Sequence, residues 1–280
     1  MTTFIVLFGA TGNMGLPFVK TLLATEGLEL VACSSRKAAG SDIVAYLGLT
    51  HPQPIPCFAT AQEALAHACI SINPRTDRLI SVDVTHPSTV YENTLASLHL
   101  GARPVIGATG MTTDQLATID ALLKQHGLSG GLFPNFSIGA VLLMQFAKQA
   151  SKYFNHAEII ELHHNRKADA PSGTSLHTAE LMQQGNPLGF GHSNAPDHET
   201  LTGARGGRTE GGLHIHSVRL PGLVAHQEVL FAEAGQLLTL RHDSFNRECF
   251  MAGMVLACRH LHRLPVGLTQ GLEHVLALTD

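Results

Sequence analysis

The chain has 280 residues, enough for one large domain or two modest ones, and its 44% hydrophobic and 14% charged residues exclude a disordered polymer. A formal net charge of -4, with no basic run longer than Arg36-Lys37, excludes a nucleic-acid binder that works through charge. The five cysteines, at 33, 57, 69, 249 and 258, are odd in number and form no CxxC, which suits a reducing compartment and argues against a disulfide framework or a structural zinc.

The opening MTTFIVLFGATG has no basic segment, and its apolar run is too short for a signal peptide. No apolar run reaches the roughly 18 residues of a membrane span, so a soluble, cytoplasmic protein is expected. FIVLFG (4–9) reads as a strand ending in glycine, and Met14, Phe18, Leu22 and Leu23 follow at helical spacing. LELVACS, RLISVDVT (78–85), PVIGAT (104–109) and GLFPN read as further strands, with helices over 88–100 and 112–125. Alternating β and α units predict a parallel sheet with helices on both faces.

Near residue 134 the rhythm changes. A helix over 137–152 leads into the strand AEIIELHH, a turn, a helix over 173–184, and a Gly/Pro/Asn/His-rich loop over 185–212. LHIHSVRL, HQEVLFAE and QLLTLRHD then follow closely, which predicts an antiparallel sheet and a second domain of α+β type. A last helix over 247–262 is expected to return to the first domain.

GATGNMG (9–15) lies where the first strand hands over to the first helix. Glycines at 9, 12 and 15 permit a tight turn whose bare backbone can approach a pyrophosphate at the helix N-terminus. The spacing is GxxGxxG rather than GxGxxG, and no GK[ST] follows, so a dinucleotide is favoured over a nucleoside triphosphate. A glycine-rich turn without function is the competing reading; its place after the first strand favours the cofactor. At the end of the second strand, CSSRK (33–37) lacks the carboxylate that would bind a ribose 2′-hydroxyl. Ser35, Arg36 and Lys37 are instead what a 2′-phosphate calls for, unless this is only a solvated basic loop. NADPH is therefore the preferred cofactor, with NADH usable.

HHNRKADAPSGT (163–174) joins two histidines, a lysine and a proline-led turn. Successive strand residues face opposite ways, so His163 and His164 enter one cleft only if the strand ends between them. Histidine can donate a proton near neutral pH, and Lys167 can pair with a carboxylate or polarise an imine. Ser172 is placed as an N-cap, and the amides of Gly173 and Thr174 can then hold a carboxylate. Together these pieces suit a small anionic substrate. With 18 histidines in the chain, no single one carries much weight, and His163-His164 or His214/His216 make poor zinc spacing, so no metal is expected.

ELHHNRKADAPSGT closely resembles the signature segment of 4-hydroxy-tetrahydrodipicolinate (dihydrodipicolinate) reductases of diaminopimelate and lysine biosynthesis. The resemblance extends through GATGNMG, VDVTHPSTV, VIGATGMT, PNFSIGAVLL, HSVRLPGLVAHQEVLFA and HDSFNRECFMAGMV. It implies an α/β fold: a Rossmann-type dinucleotide-binding domain over 1–133 plus 247–280, and an inserted α+β substrate and oligomerisation domain over 134–246. It also implies a homotetramer acting on a small dicarboxylate, with no nucleic-acid or membrane partner. Carried over by position, His163 is the general acid, Lys167 its partner at the substrate, and His164 a substrate-side histidine. Gly173 and Thr174 match the carboxylate-binding turn. Gly9, Asn13, Met14 and Gly15 fall in the phosphate loop with Gly12. Gly107 and Thr109 fall in the nicotinamide loop, while Asn135 and Phe136, counted with the cofactor site, lie with Ser137 at the interdomain hinge.

The chain departs from many members at Ala108, where threonine is common, at Val84, where phenylalanine is common, and at Ser35, where an acidic residue favours NADH. An aspartate-semialdehyde dehydrogenase also opens with GATG but needs a cysteine midway, and none lies between 69 and 249. The tyrosines at 46, 91 and 153 build no YxxxK, which removes short-chain reductases. A redox-sensing NADP-binding protein without catalysis has no use for the His-His-x-x-Lys set. A paralogue that reduces another small cyclic imine or unsaturated acid stays open.

Overall fold

β1 (Thr3–Phe8) is a run of β-branched, aliphatic and aromatic residues buried on both faces, the pattern of a central strand in a parallel sheet. The computed structural model describes residues 2–191 and 198–277. After β1 the chain forms α1 (Gly15–Leu23), β2 (Leu28–Ser34), α2 (Ile43–Tyr46), β3 (Cys57–Phe58), α3 (Ala61–Ser71) and β4 (Arg78–Asp83). It continues through α4 (Val90–His99), β5 (Arg103–Ile106), α5 (Thr113–His126) and β6 (Ser129–Leu132). Next come α6 (Ile138–Ala150), β7 (His156–His163), α7 (Gly173–Gly185), β8 (Gly207–Arg208), β9 (His214–Arg219), β10 (Ala225–Glu233) and β11 (Gln236–Ser244). The last elements are α8 (Met251–His260), β12 (Gly267–Gln270) and α9 (Glu273–Leu276).

Two compact units result, one of 1–137 with 250–280 and one of 138–249. In the first, seven parallel strands run in the order β12-β6-β5-β4-β1-β2-β3. β1 pairs with β2 on one side and β4 on the other, so the chain reverses its direction of travel across the sheet there. Loops on either side of such a switch point diverge and leave a crevice at the strands' carboxyl ends. Sequence signals start the helices cleanly. Thr60 and Glu63 form a capping box on α3, and Thr112 and Gln115 form one on α5.

Several local expectations are corrected. GLFPN forms a strand only up to Leu132; β6 starts at Ser129, and Pro134, with no N–H, cannot extend the ladder. The helix expected over 247–262 is three pieces, with 3-10 turns at Arg247–Phe250 and Leu261–Arg263 flanking α8. Within α8, a Cβ on Gly253 would lie 2.0 Å from the Phe136 carbonyl oxygen, so only glycine lets α8 and the 133–137 segment touch.

The second unit has a five-stranded sheet in the order β11-β10-β7-β9-β8. The antiparallel sheet expected from the clustered strands is in fact mixed: β7 and β9 run parallel, and the other three pairings are antiparallel. The physical reason is the long connection between β7 and β9. It carries α7 and so makes a crossover, which a hairpin cannot do. α6 and α7 cover one face, where Leu143, Ala147, Ala179 and Met182 meet Ile159, Ile215, Val229 and Phe231. Alternation along β10 buries Gln227, Val229 and Phe231 and turns His226 and Glu228 to the other face.

Candidate active site

The phosphate loop is built by glycine. Gly9 turns with φ +86°, and its amide and that of Ala10 donate to the Ser34 carbonyl, tying the loop to the end of β2. A Cβ on Gly15 would come 2.1 Å from the Gly9 oxygen, and one on Gly12 would come 3.1 Å from it. The loop therefore closes directly onto the first turn of α1. Met14 caps that helix without a side-chain hydrogen bond; the Leu16 amide is taken by the Gly12 carbonyl and Pro17 has no N–H, so the Gly15 amide is the donor this first turn leaves for an anion. Asn13 is exposed at the tip of the loop.

Next to the loop lies a cavity of about 710 Å³, lined among others by Gly9, Thr11, Gly12, Ser35, Arg36 and Lys37. Ser35 is buried; its hydroxyl lies 2.5 Å from that of Thr11 and accepts from the Lys37 amide. Arg36 and Lys37 are exposed, and neither makes an ion pair among the described residues. No carboxylate lines this cavity. A second cavity of about 310 Å³ is lined by Met14, Thr85, Gly107, Thr109, Asn135 and Phe136, with Ala108 and Val84 also on its wall. Gly107 is forced: a Cβ there would stand 2.7 Å from the Phe136 ring. The Asn135 side chain accepts from the Ser137 amide at 2.8 Å, which fixes the chain just beyond the cavity.

Asp83 organises both sides of that second cavity, and sequence reasoning passed over it. Its carbonyl accepts from the amides of Gly107 and Ala108. Its carboxylate accepts from the Thr85 amide and hydroxyl and from Asn93. Burial pushes this carboxyl above its ordinary pKa, and the hydrogen bonds from Thr85 and Asn93 act against that rise. The two cavities share Val84 and Thr85, and both lie at the switch point. A bare glycine cradle, a basic pair without acidic partners among the described residues and two adjoining cavities in that place fit a dinucleotide.

On the second unit, β7 ends at His163, so the strand does stop between the two histidines. Glu161 and His163 share one face of β7. Glu161 is fully buried and takes a hydrogen bond on each oxygen from Arg219 of β9, at 2.7 and 2.8 Å. It also accepts from the Ser172 amide at 3.3 Å, and its Oε2 lies 2.5 Å from His163 Nδ1. Arg219 in turn donates to the Asp169 carbonyl, so the loop after β7 is pinned at both ends to this pair.

His164 leaves the strand half-buried, with its Nδ1 buried and without a hydrogen-bond partner. Lys167 turns back, its backbone amide donating a hydrogen bond to the His164 carbonyl, and its Nζ bridges both oxygens of Asp169 at 2.8 Å. Ser172 is the N-cap of α7, accepting from the Ser175 amide. The amides of Gly173 and Thr174 donate to no other described residue, and a Cβ on Gly173 would meet only open space. Burial lowers the pKa of His163 below the ordinary histidine value; Glu161 opposes this, and Lys167 and Arg219 reinforce it.

The structure thus groups His163, His164, Lys167, Gly173 and Thr174 on one loop of the second unit. The glycine loop, Ser35 to Lys37, Gly107, Thr109, Asn135 and Phe136 all lie on the first. Glu161 and Arg219 went unread. Glu161 had a signal, a carboxylate two positions before a histidine on one strand. Arg219, 58 residues further on, had none. No cluster of three or more His, Cys, Asp or Glu among the described residues can hold a metal.

Two family models match this chain: "Dihydrodipicolinate reductase, N-terminus" over residues 3–136 and "Dihydrodipicolinate reductase, C-terminus" over 139–276. A 4-hydroxy-tetrahydrodipicolinate reductase of Synechococcus sp. (strain CC9605) is 42% identical over 276 residues, covering 97% of this chain and 98% of its own. One from Cyanothece sp. (strain PCC 7425 / ATCC 29141) is 43% identical over 276 residues, 97% of each chain. A solved structure of dipicolinate-bound dihydrodipicolinate reductase from Paenisporosarcina sp. TG-14 superposes with a TM-score of 0.83 at 40% identity, covering 98% of this chain and 99% of that one.

Proposed function

The chain belongs to the dihydrodipicolinate reductase family, and from that premise we propose that it reduces 4-hydroxy-tetrahydrodipicolinate to tetrahydrodipicolinate in diaminopimelate and lysine biosynthesis. The observation that carries this reading is the loop after β7, which gathers a carboxylate-held histidine, a lysine and two amides without acceptors at a helix N-terminus. The Paenisporosarcina relative was solved with dipicolinate, a planar ring bearing two carboxylates, and the same kind of ligand suits these groups.

The reaction adds a hydride and a proton to the ring and releases water. A reduced nicotinamide dinucleotide supplies the hydride when bound to the first unit. The chain's residues do the rest. The Gly173 and Thr174 amides hold one carboxylate at the positive end of α7. Lys167 exchanges Asp169 for substrate charge, and half-buried His164 is the substrate-side histidine of the same loop. His163 delivers the proton from Nε2, because its Nδ1 is occupied by Glu161. Supplying substrate through a dihydrodipicolinate synthase and following NADPH oxidation by absorbance tests this function. No oxidation with either cofactor would reject it.

NADPH is the proposed preferred cofactor. Arg36 and Lys37 border the larger cavity without acidic partners, and Ser35 stands where a carboxylate would reject a 2′-phosphate. NADPH is expected to lead in kcat/KM by at least about tenfold, the equivalent of 1.4 kcal/mol. The lead should shrink with salt, which screens such exposed charges over about 10 Å at 0.1 M. Arg36→Ala should raise the KM for NADPH and leave that for NADH nearly unchanged. Equal use of both cofactors at low salt would remove Arg36 and Lys37 from the ribose.

The proposed assembly is a homotetramer in the cytoplasm. Exposed Leu220, Leu237 and Leu238 on the second unit suit self-association, which light scattering on the purified protein measures. No helix among the described residues is long and apolar enough to cross a membrane.

A further inference from the structure

We propose that Glu161 is the positioning residue of the reaction: it holds a proton permanently on His163 Nδ1, so that acid chemistry is confined to Nε2, and Arg219 keeps Glu161 ionised for that purpose. The proposal rests on His163 being the general acid.

Glu161 is 0% exposed, and an isolated carboxyl in that position would take up a proton rather than stay charged. Burial indeed pushes its pKa up, but hydrogen bonds from Arg219, Ser217 and His163 outweigh it, and the net direction is down. The Arg219 guanidinium meets both oxygens in a fork, the geometry that best fixes a carboxylate as an anion. An ionised carboxylate only accepts hydrogen bonds. At 2.5 Å from Glu161 Oε2, His163 Nδ1 must then be the donor in both the neutral and the charged ring. The neutral tautomer is Nδ1–H, and each catalytic proton enters and leaves through Nε2. Position in the fold supports this division of labour. Glu161 lies beneath His163 on the same strand face, fully shut away, whereas His163 keeps partial exposure.

Charges around His163 come from few directions. Glu161 is on its own strand, Lys167 with its partner Asp169 on the loop that follows, and Arg219 on β9. β10 places Ala225 opposite His163 and Gln227 opposite Glu161, and the first turn of α7 contributes only hydroxyls and amides. Glu161 is therefore the carboxylate hydrogen-bonded to the imidazole, and it offsets Lys167 and Arg219 there, while Asp169 is held by Lys167 on the loop. Removing its charge while keeping its shape should leave the ring in place but weaken its hold on the proton.

Glu161→Gln is the test, with kcat and kcat/KM followed across pH. The expected result is a loss in kcat of about tenfold or more, substrate KM little changed, and an alkaline limb displaced toward lower pH by about one unit or more. Glu161→Asp, which restores charge but not reach, should recover the position of the limb better than the rate. A limb that stays put in a folded Glu161→Gln protein overturns the proposal, since a merely structural ion pair would cost stability without moving it. Imidazole ¹⁵N spectra of the unmutated enzyme give a readout independent of folding of the variant. The His163 resonances, assigned by their loss in His163→Gln, should show Nδ1 protonated on both sides of neutrality, and a neutral ring protonated on Nε2 overturns the proposal. Full activity of His163→Gln would instead reject the acid assignment itself, so the two failures are distinguishable.

Discussion

His163→Gln is expected to lower kcat by about 10²–10⁴, the usual contribution of a positioned general acid, with a much smaller change in substrate KM. Glutamine keeps a polar side chain of similar reach, so the Glu161–Arg219 pair under it should stay intact and the protein folded. It has no proton to give at any useful pH. The pH profile carries the sign. Burial holds the free-enzyme pKa of His163 below the ordinary histidine value, and the acid is competent only while protonated. kcat/KM should therefore fall as pH rises through that lowered pKa. Wild-type turnover in His163→Gln, with the alkaline limb unaltered, would move the acid elsewhere.

Lys167→Ala is expected to weaken pyridine-2,6-dicarboxylate by about tenfold to a hundredfold, because charge-assisted hydrogen bonds are worth roughly 1.5–3 kcal/mol. The upper end is not reached freely. Lys167 holds both oxygens of Asp169, so a ligand carboxylate must displace that pair before it profits from the ammonium. Asp169 is 62% exposed in its side chain and gains back water on release, which keeps the exchange inexpensive. Asp169→Asn should thus tighten the same inhibitor modestly, an effect opposite in sign to that of Lys167→Ala. Inhibition constants from steady-state competition measure both. An unchanged constant in Lys167→Ala would take the lysine out of the site.

The sequence disclosed whatever depends on short-range pattern. β1, β2, β4 and β5, with the helices after β1, β4 and β5, follow from β-branched runs and helical spacing, and the glycine loop was placed because it follows the first strand. β3, two residues long, and the four-residue α2 went unread, as did α3, whose weak amphipathy hid it although Thr60 and Glu63 marked its start. The parallel pairing of β7 with β9 depends on a crossover whose direction no local pattern encodes. The same limit applies within the site. His163, Lys167 and the capped turn are contiguous and were legible. Arg219 is brought to Glu161 only by strand pairing, and Asp83 gains its importance from two loops that converge on it in space.

β12 is the last strand made, yet it forms the edge of the first sheet, paired to β6. During synthesis the whole inserted unit leaves the ribosome before this edge can be covered. Domains tend to fold as units as they emerge, at about 5–20 residues per second, so for several seconds β6 waits with unpaired N–H and C=O groups. An open strand edge is a template for another chain. β6 is short and carries two glycines, Gly130 and Gly131, a composition that makes a poor template while it waits. A chain that stops before residue 250 would keep that edge open permanently and lose Leu268, whose side chain packs on the clusters around Ile106 and Ile119. Such nascent fragments should depend on chaperones far more than the complete chain does.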